Sequence, residues 1–286
     1  MLFYACICTQ LLAGTIDSAD MEEHYVTIRD SINIAFTDRG EGPVIIFVHG
    51  LGSNKRAWEK TISALDQDYR CIALDLPGYG NSEKGKYPST MSFFSSCLMD
   101  FAEILEIEEF HLAGHSMGGQ IALYAAIHSP NALKSLILMA PAGIETFNAE
   151  DRLFLTNVFN SQLIQSFDEA RVRLNFQANF YEMPTDAEFM IEDRLAMMED
   201  SAAYAYYADM VPLCVQGMLK DTVFQDLNEI DLPVFIVYGK EDALIPNIYL
   251  HSDLTTEDIA RIANHHIKGS ELHIIQDAGH FVHWEQ

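Results

Sequence analysis

The stretch Gly114-His115-Ser116-Met117-Gly118 decides how this chain folds. It stands between an apolar run, residues 110–113, and a stretch with helical spacing, residues 120–127, so the expected order is strand, turn, helix. A Gly-x-Ser-x-Gly sequence in that position predicts a nucleophile elbow, a tight turn that holds a serine hydroxyl above the end of a sheet. Glycines two positions before and after the serine leave the room that this turn needs. Ser116 is therefore the candidate nucleophile.

A serine hydroxyl is a weak nucleophile, so Ser116 needs a base and an acid that orients the base. Residues 233–238 predict a buried strand, and Asp242 follows its end. Residues 271–276 predict the next strand, and His280 follows that one. Asp242 and His280 are the candidate acid and base, in the order serine, acid, histidine.

Both partners have alternatives. Asp75, Glu241 and Asp277 also follow predicted strands, although a carboxylate there is commonly just a turn residue. His283 lies three residues after His280, where it would more naturally line or support the site.

Two backbone amides are candidates for binding an oxyanion. Residues 44–48 predict a strand that leads into His49-Gly50-Leu51-Gly52, whose glycines allow a sharp turn. The N–H of Leu51 can then face the same site as the N–H of Met117, directly after the serine. Such a pair stabilises the negative charge that develops on an attacked carbonyl oxygen.

These motifs resemble the alpha/beta-hydrolase family, and the resemblance extends from about residue 25 to the last residue. Besides the elbow it rests on four segments: His49-Gly50-Leu51-Gly52, Asp75-Leu76-Pro77-Gly78-Tyr79-Gly80-Asn81-Ser82, Gly239-Lys240-Glu241-Asp242 and Gly279-His280. It implies an α/β fold with a mostly parallel eight-stranded sheet flanked by helices and a helical lid insertion. It also implies a catalytic Ser116, Asp242 and His280, an oxyanion hole at Leu51 and Met117, and no cofactor.

The chain departs from the family pattern in two places. Asp242 and His280 are 38 residues apart, which is more than the family leads us to expect, and residues 247–253 are the expected insertion. The chain also stops six residues after His280, where the family usually adds a closing helix.

Periodicity predicts the layout of the remaining chain. The expected strands are residues 24–29, 32–38, 43–49, 70–75, 109–114, 133–139, 233–238 and 271–276, with helices at 57–66, 91–106, 117–128 and 255–266. Residues 21–141 and 231–286 then form the core, and residues 142–230, which have no strand signal, form the lid.

Three helix starts are predicted in the lid: Asn148 caps a helix through residue 159, and Ser166 with Glu169 and Thr185 with Glu188 each fit a capping box. The lid is also rich in methionine and aromatic side chains, which adapt to apolar ligands but also simply pack helices on a core. No lid residue is therefore assigned to substrate binding.

Composition excludes several classes of function. Seventeen basic and 42 acidic residues leave a formal charge of −25, which opposes binding to nucleic acid and to anionic membranes. Five cysteines in no paired pattern predict neither a disulfide framework nor a metal centre, and the histidines match no ligand motif.

Residues 1–20 are the uncertain part of the chain. Residues 1–14 are apolar and uncharged, too short to span a membrane but long enough for a signal sequence. No basic residue precedes Arg29, however, and Met21 could be the true start. We expect a cytoplasmic protein without stable membrane insertion, with export as the alternative.

The resemblance implies a hydrolase of small-molecule carboxylic esters with short to medium apolar acyl chains. One alternative is a carbon–carbon bond hydrolase of ring-cleavage products, which would use a lid arginine to hold an anion; the candidates are Arg152, Arg171, Arg173 and Arg194. An enol-lactonase and a non-catalytic ligand-binding protein are further alternatives. The oligomeric state is not predicted.

Overall fold

The computed structural model describes residues 22–286, so the expectations for residues 1–20 lie outside the described part of the chain. The strands are β1 (Glu23–Ile28), β2 (Ile32–Arg39), β3 (Val44–Val48), β4 (Arg70–Leu74), β5 (Phe110–His115), β6 (Leu133–Met139), β7 (Val234–Gly239) and β8 (Glu271–Ile275). The α-helices are α1 (Glu59–Leu65), α2 (Met91–Ile104), α3 (Met117–His128), α4 (Ala149–Val158), α5 (Ser161–Gln165), α6 (Glu169–Gln177), α7 (Glu188–Glu199), α8 (Ser201–Lys220), α9 (Thr256–His266) and α10 (Val282–Glu285).

The eight strands form one sheet in the order β1-β2-β4-β3-β5-β6-β7-β8. β1 pairs with β2 and β2 pairs with β4 in antiparallel fashion, and every pair from β4 to β8 is parallel. The predicted α/β fold with a mostly parallel eight-stranded sheet is therefore confirmed. Every predicted strand is present, and the ends of strands and core helices differ from the predicted ones by at most two residues.

The middle of the sheet is buried on both faces, and β3 shows how. Ile46 and Val48 point into the large core that α2, α3 and α9 cover, whereas Ile45 and Phe47 point to the opposite face, onto a cluster with Trp58. A parallel strand covered on both sides has no water-facing positions, which explains its continuous run of apolar residues. The carboxyl ends of these strands carry the motifs of the candidate site.

Five helices, α4 to α8, lie between β6 and β7, within residues 142–230. α4 begins as predicted, because the Asn148 side chain accepts from the N–H of Asp151 while the Asp151 carboxylate accepts from the N–H of Asn148. The other two predicted capping boxes are wrong. Ser166 ends α5 and donates to the carbonyl of Leu163, and Asp168 caps α6 in its place.

Thr185 opens a short 3-10 turn, residues 185–187, instead of α7. Its predicted partner, Glu188, is the first residue of α7, which has Ala187 at its N-cap position. Thr185 and Glu188 match the capping-box pattern without forming the cap. The 3-10 turn that begins at Thr185 gives the backbone a geometry different from the one that the cap requires.

Helices α4 to α8 pack on the core through apolar side chains. Met210 and Cys214 of α8 belong to the main core, and Met218 packs against it. Gly217 of α8 lies so close to the loop before α2 that a Cβ there would be 2.0 Å from the carbonyl oxygen of Ser89. Of the helices that the structure describes, none has the length and apolar composition needed to cross a bilayer.

Candidate active site

Ser116 occupies the turn between β5 and α3 with a left-handed backbone conformation, φ 52° and ψ −115°. A non-glycine residue held there is strained, and such strain is typical of a functional turn. The turn also needs close backbone approaches: a Cβ at Gly118 would be 2.2 Å from the carbonyl oxygen of Val48. Gly118 therefore allows the end of β3 to lie against the first turn of α3.

The backbone of Ser116 is held by the neighbouring strand β6 and the loop that follows it. Its N–H donates to the carbonyl oxygen of Met139 at 3.0 Å, and its own carbonyl accepts from the N–H of Ala142, also at 3.0 Å. The side chain is partly exposed, and Oγ has no hydrogen-bond partner among the described residues. Catalytic hydrogen bonds often form only when substrate is bound, so this free hydroxyl is compatible with a nucleophile.

His280 and Asp242 form a buried pair, with 2.7 Å between His280 Nδ1 and Asp242 Oδ2. The other carboxylate oxygen of Asp242 accepts the N–H groups of Leu244 and Ile245 at 2.8 and 3.1 Å. A carboxylate accepts hydrogen bonds, so the imidazole is the donor in its bond to Asp242. Nδ1 therefore carries the proton, and Nε2 is left as the basic nitrogen.

His115 connects the histidine loop to the elbow. Its Nε2 donates to the carbonyl oxygen of His280 at 3.0 Å, and the two imidazole rings lie 4.8 Å apart. Burial, together with the nearby His283 and His280, holds the pKa of His115 well below its usual value. A neutral His115 thus ties the residue before Ser116 to the backbone of the candidate base.

Two of the three alternative acids are engaged elsewhere, and the third, Asp277, is exposed. Asp75 is fully buried and accepts from both the N–H and the Nζ of Lys55, at 2.7 and 2.9 Å, and from the N–H of Asn81. Glu241 accepts from the N–H of Ala278. Within residues 22–286, Asp242 is the one carboxylate that forms an ion pair with His280.

His283, the alternative base, is packed as a core side chain. Its ring lies 4.3 Å from that of Trp58 and 4.6 Å from that of His115. Burial, and to a lesser degree the neighbouring His280, lowers the pKa of His283 to about 3. This position agrees with the supporting role expected of His283.

Residues 50–53 form a tight turn, here called turn 50–53, in which the N–H of Ser53 donates to the carbonyl of Gly50 at 3.3 Å. Gly52, the third residue, has φ +69°, as a type II turn requires. A Cβ at Gly50 would lie 3.2 Å from Cβ of Ser116. The predicted donor Leu51 thus follows a residue in contact with the serine, and Met117 begins α3, with its N–H outside the helix's own hydrogen bonds.

A cavity of about 70 Å³ lies between turn 50–53 and the helices α6 to α8. Ser116 does not line it; residues 52–54 do. Its apolar lining from the helices includes Phe176, Phe189, Met190, Met197, Tyr207 and Met210. Arg194 of α7 also lines the cavity, and sequence reasoning singled it out only as one of four arginines. Among the described residues there is no group of three or more side chains that could hold a metal ion.

Strand, strained serine turn, helix and a following acid–histidine pair define a class of α/β proteins with a nucleophile elbow. The chain belongs to the alpha/beta hydrolase fold family, whose model matches residues 43–286.

Among its relatives, it is 29% identical over 255 residues to the dihydrolipoyllysine-residue acetyltransferase component of the acetoin cleaving system of Pseudomonas putida, covering 86% of this chain and 61% of that one. This chain thus spans less than two thirds of that relative. It is 26% identical over 270 residues to the non-heme chloroperoxidase CPO-A1 of Kitasatospora aureofaciens, covering 89% and 90%. An esterase structure from Exiguobacterium antarcticum matches with a TM-score of 0.73 and 20% identity, covering 90% and 91%.

Proposed function

We propose that this chain is a serine hydrolase that cleaves carboxylic esters through an acyl-enzyme. Ser116 is the nucleophile, His280 the general base and Asp242 the residue that orients it. The observation that carries this proposal is the buried 2.7 Å hydrogen bond from His280 Nδ1 to Asp242, because it leaves Nε2 free to take a proton. The strained backbone of Ser116 is the second support.

The first half-reaction forms the acyl-enzyme. Ser116 Oγ attacks the acyl carbon while His280 Nε2 takes the hydroxyl proton, and Asp242 stabilises the resulting imidazolium. The carbonyl oxygen becomes an oxyanion, which the N–H groups of Leu51 and Met117 bind. When the tetrahedral intermediate collapses, the ester oxygen leaves with the proton from His280 as an alcohol.

The second half-reaction returns the enzyme to its starting state. A water molecule gives its proton to His280 Nε2 and attacks the acyl carbon, and the same two N–H groups bind the new oxyanion. Ser116 Oγ leaves with the proton from His280, and the carboxylic acid is released. Protons and charges balance over the two steps, so the cycle needs no cofactor.

The lining of the cavity bears on the substrate. Its aromatic and methionine side chains favour an apolar group, and its small volume favours a short one. We therefore propose neutral esters of short to medium acyl length. Helices α6 to α8 supply most of this lining, and we propose that residues 142–230 act as the lid over the site.

The test is hydrolysis of p-nitrophenyl acetate, butyrate, octanoate and palmitate by the wild type and by Ser116→Ala. We expect turnover of the shorter esters and a loss of at least about 10³-fold in the variant, as for removal of a catalytic serine. Ser129→Ala is the matched control, because Ser129 is exposed at the opposite end of α3. It should keep wild-type activity.

A wild type that is no faster than Ser116→Ala on every ester contradicts the proposal. Halide-dependent peroxidation would then be assayed, because the chloroperoxidase relative covers most of this chain. A folded wild type that binds these esters without turning them over would indicate a ligand-binding protein instead.

A further inference from the structure

Arg194 differs from the other arginines of the inserted helices. Arg173 pairs with Glu169 and Glu188, and Arg152 donates to the carbonyls of Phe147 and Leu219. Arg171 is exposed on α6. Arg194 alone among these four lines the cavity beside turn 50–53.

The charge of Arg194 is not neutralised by an acid. Its neighbour Asp193 instead accepts from Nη1 of Arg56 with both carboxylate oxygens, and among the described residues no carboxylate pairs with Arg194. Its guanidinium carbon lies 3.7 Å from the centre of the Tyr207 ring, and its Nε is buried without a hydrogen-bond partner in the described part of the chain. In a chain of net charge −25, an unpaired cation held this way points to a specific use.

The polar partner of this cation is the backbone of turn 50–53. Arg194 Nη2 donates to the carbonyl oxygen of Gly52 at 2.5 Å. The same peptide group carries the N–H of Ser53, which donates to the carbonyl oxygen of Gly50 at 3.3 Å. The Gly50 peptide group in turn carries the N–H of Leu51, the proposed oxyanion donor.

Hydrogen bonds in such a series polarise one another. A donor on a peptide carbonyl shifts electron density towards that oxygen and makes the N–H of the same peptide a stronger donor. The series here begins at a cation, passes through two peptide groups and ends at the Leu51 N–H. His49 adds to it, because its Nδ1 also donates to the carbonyl of Gly50, at 2.8 Å, while its Nε2 accepts from the N–H of Leu76.

We propose that Arg194 is a positioning residue of the oxyanion hole: it holds turn 50–53 in place and, through the peptides Gly52–Ser53 and Gly50–Leu51, strengthens the Leu51 N–H as a donor. This inference rests on the proposed function, because it needs Leu51 to bind an oxyanion. Arg194 lies on α7, 142 residues from Gly52 in the sequence. On this proposal, the reaction depends on α7 being packed in this position. The inserted helices then serve the reaction as well as the substrate.

The experiment compares Arg194→Gln and Arg194→Lys with the wild type on p-nitrophenyl butyrate. Glutamine can donate to Gly52 without a charge, whereas lysine keeps the charge and can also donate. Loss of a direct oxyanion donor costs about 10²–10³-fold in kcat, so an indirect effect of roughly 5- to 30-fold is expected for Arg194→Gln, with KM changed less than about twofold. Arg194→Lys should recover part of the kcat.

A second measurement separates the oxyanion from general damage to the fold. A butyl trifluoromethyl ketone adds to a catalytic serine and forms a charged hemiketal oxygen, so its inhibition constant reports oxyanion binding. In Arg194→Gln, the inhibition constant should rise by about the same factor as kcat/KM falls. Arg171→Gln is the matched control, an arginine of the same inserted segment with its side chain 5.6 Å from the Phe167 ring, and it should match the wild type in both measurements.

Three outcomes overturn the inference. An active wild type whose Arg194→Gln variant has the same kcat and the same ketone inhibition contradicts it while leaving the proposed function intact. An increase in KM confined to esters that end in a carboxylate, with kcat on the butyrate unchanged, assigns Arg194 to substrate binding, as a carbon–carbon hydrolase would require. A wild type without serine-dependent turnover overturns the proposed function, and this inference with it.

Discussion

The sheet core and the inserted helices α4 to α8 are built differently. In the core, the central strands β3, β5 and β6 are mostly buried; Phe47, Leu112 and Leu136 are at most 1% exposed. In the inserted segment, eight large apolar side chains remain exposed: Leu153, Phe154, Val158, Phe159, Leu163, Leu174, Tyr181 and Leu213. Only five others do so in the rest of the described chain, although that part is twice as long.

The two regions differ in how rigidly they hold their side chains. The core holds a strained serine and a buried acid–histidine pair, and both need surroundings that cannot relax. The inserted helices are less completely packed, and regions with few buried apolar contacts open at lower cost. Arg194 links the two regions, because it lies on α7 and hydrogen-bonds to turn 50–53 of the core.

The largest effect in this comparison is expected in the core, from Asp242→Asn. An amide cannot fix the Nδ1–H tautomer of His280, so kcat on p-nitrophenyl butyrate should fall by about 10³–10⁴-fold with the fold intact. Glu241→Gln is the matched control, because within residues 22–286 its carboxylate bonds only to the N–H of Ala278, and its kcat should change less than roughly fivefold. Equal losses in both variants would argue against Asp242 as the acid.

The next prediction compares the same substitution, leucine to alanine, in the two regions. Leu136→Ala removes a fully buried side chain of β6 and should lower the free energy of unfolding by about 2–5 kcal/mol. Leu174→Ala removes a side chain of α6 that is 58% exposed and should change it by no more than about 0.5 kcal/mol. Urea unfolding measures both, and similar losses would contradict the contrast in packing.

The third prediction concerns the free energy of unfolding at acid pH. Burial lowers the pKa of His283 to about 3, well below the value near 6.5 expected in the unfolded chain. As pH falls, His283 therefore takes up a proton in the unfolded state at a higher pH than in the folded state. The stability contributed by neutral His283 is complete above pH 6.5 and is lost as pH falls towards 3.

His283→Phe should remove this loss. Between pH 6.5 and 5 the slope of unfolding free energy against pH should decrease by up to about 1.4 kcal/mol per pH unit relative to the wild type. His128→Phe, at an exposed position on α3, serves as the control and should leave the slope as it is. Thermal unfolding over this pH range would show whether the two variants differ.

The smallest effect is expected where the two regions meet at the surface. Arg56, beside α1, donates two hydrogen bonds to Asp193 of α7 at 2.9 and 3.0 Å, with both side chains more than a third exposed. A double-mutant cycle with Arg56→Ala and Asp193→Ala should give a coupling free energy of about 0.2–1 kcal/mol that falls with added salt. A coupling of several kcal/mol would mean that this pair, and not apolar packing, holds α7 on the core.

The fold and the members of the candidate site could be predicted because their signals are local. Strands and helices follow from the spacing of apolar residues, and the elbow around Ser116 needs small residues at fixed positions. Asp242 and His280 were predicted because each follows a strand of a parallel sheet, where strand ends meet at one edge. Asp75, Glu241 and Asp277 meet the same condition, and the resemblance to the family favoured Asp242. The helix starts at Ser166 and Thr185 were mistaken because the pattern of a cap also occurs where neighbouring turns compete for the same backbone groups.

Tertiary structure alone decided which distant groups meet. No spacing in the chain indicates that His115 bonds to the backbone of His280, or that Asp75 accepts from Lys55. The contact between Arg194 and Gly52 is of the same kind. The spacing of apolar residues predicts which face of a helix or strand is buried. Which residues that face contacts depends on how the elements pack together, and packing is a property of the whole fold.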